Sequence, residues 1–254
     1  MDKNKVKHRV ILSFKAIPLV LIALCIVSLV FVGIYKHYPV KTSPQMLSSK
    51  AKNLPDSIKL KARHQWIPLD SISQNLVLAV LAAEDRNFFA HNGFALKDSL
   101  DSTDDKGHFL DRKTISQQTS DCVFLNKGNS WIHRVGETYF TVLLEEFWDK
   151  NRILEVYLNS VRMGEGIFGA ESAAKVYFNK KAGELTKDEA SFLATTIHLN
   201  VRMEPQHVPD TIETKKKQIL ADMALMMNIK LGKKPIDESD NSKPKSNFRR
   251  KWRG

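Results

Sequence analysis

Residues 70–93 read DSISQNLVLAVLAAEDRNFFAHNG. Apolar Ile72, Leu76, Ala79, Val80 and Ala83 recur at three- and four-residue steps. That period predicts a helix starting near Asp70–Ser73 with one buried stripe. The stripe runs straight into Glu84, Asp85 and Arg86, followed by Phe88, Phe89 and His91. A carboxylate at the end of a buried helix, next to a second acid and a histidine, suits general acid or base work. It also reads as a surface acid in an intrahelical ion pair, and His91 by itself as a packing residue. From these residues alone both readings stand.

Downstream, residues 94–113 are polar and Asp-rich around DSTDDKG and read as a loop. Lys113-Thr114-Ile115-Ser116-Gln117-Gln118-Thr119 then crowds neutral hydrogen-bonding groups into one turn. Such a set suits sugar hydroxyls, acetamido groups or phosphate oxygens, and equally a polar helix N-terminus. One long helical stretch is predicted over about Ser130–Ser160, with apolar Tyr139, Phe140, Leu143, Leu144, Phe147, Ile153, Leu154, Tyr157 and Leu158. Near its start Arg134 and Glu137 stand three apart on one face. A second carboxylate across a cleft from the first is what glycosyl chemistry requires, although the pair also reads as a helix ion pair. In YLNSVRMGEGIFG, residues 157–169, the glycines allow close backbone approach and Asn159 holds either a loop or a ligand. A short helix follows at Glu171–Phe178, and Thr186 with Glu189 forms a capping box opening a helix to about His198. After Pro205 and Pro209 an amphipathic helix is expected over Asp210–Leu231. Strand patterns are nearly absent, so the fold class is mainly α.

Upstream, Ala16 to Ile34 runs AIPLVLIALCIVSLVFVGI without a charge. As a helix it is about 28 Å long, close to a bilayer core. Lys3, Lys5, Lys7, Arg9 and Lys15 precede it, which places the N-terminus in the cytoplasm and the body outside. The run is longer than the apolar region of a cleaved signal, and HYPVKTSP is a poor cleavage site, so a retained anchor is expected. The chain therefore divides into a basic segment 1–15, a transmembrane helix 16–34, a Pro-containing connector 35–59, a globular domain 60–231 and a basic tail 232–254. At 43% hydrophobic and 26% charged the body can bury a core. Of the net charge of +11, ten reside in residues 1–15 and 230–254, leaving the centre nearly neutral. Basic ends beside anionic lipid fit that map, and a nucleic-acid groove does not. Cys25 and Cys122 are too few for a disulfide framework, and no Cys/His spacing resembles a zinc site.

Taken together, five segments resemble the glycosyltransferase domain of class A penicillin-binding proteins in its monofunctional version, the biosynthetic peptidoglycan transglycosylases. They are EDRNFFAHNG (84–93), TISQQT (114–119), Arg134 with Glu137, ILEVYLN with GEGIFG, and AAKVYFNK with ELTKDEASFLA. The resemblance covers roughly residues 60–205. It implies a lysozyme-like helical domain with a smaller membrane-proximal lobe, on the outer face of a bacterial plasma membrane. It implies polymerisation of lipid II onto a growing glycan strand, by inverting transfer with release of undecaprenyl diphosphate. Glu84 falls on the general base and Glu137 on the family's second glutamate. Asp85, Phe88, His91, Lys113, Thr114, Gln117, Gln118, Arg134 and Asn159 fall on substrate-binding positions. Cell-wall synthesis proteins are the partners such an enzyme meets. A divalent cation, used by some members, is the one cofactor the resemblance suggests, and no metal-ligand cluster is legible in the sequence.

The departures concentrate on cations. The family's Gly-Gly-Ser before the second motif is Asp111-Arg112-Lys113 here, and its Lys-Asn after it is Asp121-Cys122. A basic position in the next loop is Asn129, and the first basic residue of the third motif is His133. A departing diphosphate needs positive charge. Two readings follow: Arg112 and Lys113 supply that charge from the other side of the turn, or the chain binds lipid-linked glycan or a partner as a membrane-anchored scaffold without turnover.

Overall fold

The computed structural model describes residues 3–48, 64–95, 113–125, 128, 130–197, 199, 205 and 208–226, with side chains from Pro18 onward, residue 21 excepted. The Asp-rich stretch 96–112 with Arg112, Asn129, residues 49–63 and the basic tail lie outside the described residues. The helices are α1 (Lys3–His37), α2 (Pro44–Ser48), α3 (Gln74–Glu84), α4 (Ile115–Val123), α5 (Trp131–Phe147), α6 (Lys150–Ser160), α7 (Ala170–Phe178), α8 (Lys187–Thr196) and α9 (Asp210–Met226). A two-stranded antiparallel hairpin, β1 (Arg162–Gly164) with β2 (Ile167–Phe168), is the one sheet among the described residues. The mainly helical class expected from the sequence is what the chain adopts.

Helix α3 begins where Ser73 Oγ accepts from the Asn75 amide, 3.2 Å away. Leu76, Val77, Ala79, Val80, Leu81 and Ala82 are all buried, so α3 is wrapped on most sides rather than along one stripe. It packs against α8 and α9, and Arg86 at its end pairs with Asp222 of α9. On the other side α4 packs against α5 and α6 around Ile115, Leu144, Ile153, Leu154, Tyr157 and Leu158, all fully buried. Phe124 and Phe140 stack at 4.5 Å between α4 and α5.

The predicted single helix over 130–160 is two. Trp148 is extended (φ −110°, ψ 148°), and Asp149 restarts the helix by accepting from the Arg152 amide at 2.9 Å. The apolar period did not reveal the break because both helices bury residues in one core. The capping box at Thr186 and Glu189 opens α8 as read, and α8 ends at Thr196. Glycine is required at 169. Its φ is +82°, and a Cβ there would stand 2.6 Å from the Asn159 carbonyl oxygen. Gly169→Ala is expected to destabilise the fold by roughly 2–4 kcal/mol through strain and overlap, read as a shifted chemical-denaturation midpoint.

Helix α1 carries the apolar segment, and Pro18–His37 is long and apolar enough to cross a membrane. Leu19, Leu24 and Val30 are exposed along it. Its C-terminal end is fastened to the body. Ser28 Oγ lies 2.7 Å from Tyr139 Oη, and Trp148 Nε1 donates to the Val32 carbonyl at 2.9 Å. Arg152 donates to the carbonyls of Tyr35 (2.7 Å) and Tyr38 (2.6 Å), placing its cation at the negative end of α1. Helix α5 lies against α1 and exposes Trp131, Ile132, Val135 and Val142, an apolar face that Tyr139 continues onto α1.

Candidate active site

The site is organised by the N-terminus of α4. Thr114 caps the helix: its Oγ1 accepts from the Gln117 amide at 3.2 Å, and Gln117 Oε1 accepts from the Thr114 amide at 3.0 Å. The Thr114 hydroxyl donates to the Gly93 carbonyl at 2.6 Å, tying the first motif to the second. The two adjacent glutamines then reach to opposite sides. Gln118 Nε2 donates to Glu84 Oε2 at 2.9 Å, and Gln117 Nε2 donates to Glu137 Oε1 at 3.2 Å. One helix end thus holds both glutamates, and the positive end of its dipole favours their charge. Glu84 is half-buried and Glu137 is buried.

Behind Gln118 stands Tyr157 of α6, whose hydroxyl donates to Gln118 Oε1 at 2.7 Å. That bond fixes the amide so that its nitrogen faces Glu84. Burial, reinforced by the charges of Glu84, Cys122 and Asp85, pushes the Tyr157 phenol well above its ordinary range, so it stays a donor across neutral pH. The sequence placed Tyr157 in the core and gave no sign of this polar duty. Tyr157→Phe is expected to cut turnover by about tenfold or more with little change in KM, because Gln118 loses the bond that aims its amide at Glu84. Steady-state kinetics would read it, and an unchanged kcat would remove Tyr157 from the site.

Asp85 and His91 serve the loop. Asp85 is buried and accepts from His91 Nε2 at 2.9 Å and from the Ile115 amide at 3.1 Å. Phe88 is fully buried, with Lys150 Nζ 4.5 Å above its ring. Asn159 is also interior. Its Oδ1 accepts from Ile67 N at 2.9 Å, and its Nδ2 donates to the carbonyls of Ile67 and Glu155 at 2.8 Å each. Of the loop and the ligand left open for Asn159, the side chain holds the loop. The side chains of Phe88 and Asn159 are both enclosed by the protein. Arg134 is exposed and lines a groove of about 420 Å³ with Val135, Thr138 and Tyr139.

Around Glu137 the sequence's cation question takes a definite form. Lys113 Nζ bridges Glu137 Oε2 at 2.5 Å and Asp121 Oδ2 at 2.6 Å. Burial works to lower the Lys113 pKa, but the hydrogen bonds and charges of Asp121 and Glu137 outweigh it and hold the ammonium above its ordinary value. His133 Nε2 comes within 3.4 Å of Asp121 Oδ1. Asp121, His133 and Glu137 therefore converge, with one donor atom from each within 4.8 Å of the others. No local spacing pointed to this cluster, since it joins the end of α4 to the first turns of α5.

A helical body in which one helix end holds two glutamates offers the pair of carboxylates that glycosyl chemistry uses. The family model described as Transglycosylase matches residues 51–224, and the chain belongs to that family. It is 36% identical over 216 residues to a biosynthetic peptidoglycan transglycosylase of Bacteroides thetaiotaomicron, covering 84% of this chain and 87% of the relative. A protein of the same description from Vibrio parahaemolyticus is 35% identical over 224 residues, covering 86% and 96%. One from Pasteurella multocida is 34% identical over 213 residues, covering 82% and 85%.

Proposed function

We propose that this transglycosylase polymerises lipid II into peptidoglycan strands. The observation that carries the reading is the pair of glutamates held by Gln117 and Gln118 at one helix end. Glu84 takes the proton from the C4 hydroxyl of the acceptor sugar. That oxygen bonds to the anomeric carbon of the growing strand with inversion, while the bond to undecaprenyl diphosphate breaks and the diphosphate leaves with the electron pair. Glu137 faces the developing positive charge or the acceptor. Gln117, Gln118, Thr114 and Arg134 order the substrates around it, and Lys113 supplies positive charge for the leaving group. Asp85, Phe88, His91 and Asn159 position the loops that carry these groups.

The same reading orients the chain. Helix α1 spans the plasma membrane as a single pass with its basic N-terminus in the cytoplasm. The domain 60–231 then lies outside, with the apolar face of α5 against the bilayer, where the lipid-borne substrate is concentrated. Lys113, held at Glu137, supports turnover over scaffold binding, because it returns a cation to the neighbourhood that lost one at Asp121.

The test is incubation of the full-length protein in detergent with purified lipid II, with strands resolved by gel. Strand formation is expected. Lipid II bound but unpolymerised would replace this reading with the scaffold.

A further inference from the structure

The cluster at the end of α4 has features that an ion pair does not explain. Among the described residues, Asp121 Oδ1 and His133 Nε2 are buried atoms without a hydrogen-bond partner. The His133 side chain is only 10% exposed, and its nitrogen faces Asp121 Oδ1 at 3.4 Å without hydrogen-bond geometry. Two ligands of a tetrahedral ion at about 2.1 Å stand roughly 3.4 Å apart. Glu137 supplies a third donor atom within 4.8 Å of both. Its Oε2 and Asp121 Oδ2 hold the Lys113 ammonium, which comes from a side chain 43% exposed.

We propose that Asp121, His133 and Glu137 form a binding site for one divalent transition-metal cation, Mn2+ or Zn2+, which exchanges with the Lys113 ammonium. An imidazole nitrogen with two carboxylates suits such a borderline ion better than Mg2+ or Ca2+, which prefer all-oxygen shells. The inference rests on the transglycosylase reading for its purpose. On the family resemblance, positions 121 and 133 fall where cations are expected, and here they carry an acid and an imidazole. Side chains that repel or ignore a diphosphate become ligands for an ion that attracts it.

Binding is measured without substrate, so it stands or falls apart from polymerisation. The full-length protein in detergent is stripped with chelator and titrated with MnCl2 and ZnCl2 by calorimetry. The expected result is saturable binding of one ion per chain, weakened by about 10–100-fold or more in Asp121→Asn and His133→Ala. Lys113→Met is expected to tighten it, since the competing ammonium is gone. Pulsed EPR of the Mn2+-loaded wild type should show coupling to an imidazole nitrogen, a readout that needs no variant to fold. No saturable binding, affinity indifferent to His133→Ala, or Mn2+ without nitrogen coupling each overturns the site. Metal binding without strand formation would retain the site and remove the proposed function.

Discussion

Glu84→Gln is expected to lower strand formation from lipid II by about 10²–10⁴-fold, the range that a positioned general base contributes. The amide keeps the size of the carboxylate but cannot accept the acceptor's proton. The fold should be unmoved. Glu84 is half-buried at the end of α3, and the helix is held by the core residues Leu76 to Ala82, by its Ser73 cap and by the Arg86–Asp222 pair. The helical circular dichroism and thermal midpoint should match the wild type. Gln118 can also turn its own amide to meet the new side chain only by breaking with Tyr157, so the variant is not expected to recover by rearrangement. Substantial turnover in Glu84→Gln would move the base to another group, Glu137 being the candidate that shares the same helix end.

Asn159→Ala is expected to cost about 3 kcal/mol of stability and to lower the thermal midpoint by roughly 6–12 °C for a domain of this size. The fully buried side chain makes three hydrogen bonds to the backbone, two of them to the half-buried Ile67. Truncation leaves the Ile67 amide and carbonyl facing a cavity, and each unsatisfied buried group costs about 1–3 kcal/mol. The same loop brings His64 onto the Asn159 carbonyl at 2.8 Å and Trp66 under Arg152. Loosening it therefore disturbs the residue that fastens the end of α1. A variant as stable as wild type would mean that the loop is held without Asn159.

These expectations draw differently on sequence and structure. The helix of residues 74–84 was legible because its apolar residues recur at the helical period. The α8 capping box was legible because its donors and acceptors are three residues apart. Local geometry leaves little else for them to do. The break at Trp148–Asp149 was not legible, because apolar spacing reports burial and both helices are buried in the same core. Chemistry-bearing residues were recognisable as five segments, but the segments do not state their neighbours.

What the sequence determined by itself was the α class, the apolar N-terminal segment and the identity of the groups that meet: two glutamates, two glutamines, a lysine. Each of those follows from composition, period or motif, which are properties of contiguous chain. The tertiary structure alone decided the assignments. It gave Gln117 to Glu137 and Gln118 to Glu84, put Tyr157 behind Gln118, enclosed Phe88 and Asn159, and drew Lys113 and His133 onto Asp121. Hydrogen bonds and charge pairs act over about 3–4 Å, whereas the residues that form these stand up to 39 positions apart. Which partners come that close is settled by how α3, α4, α5 and α6 pack, and packing depends on the whole core at once.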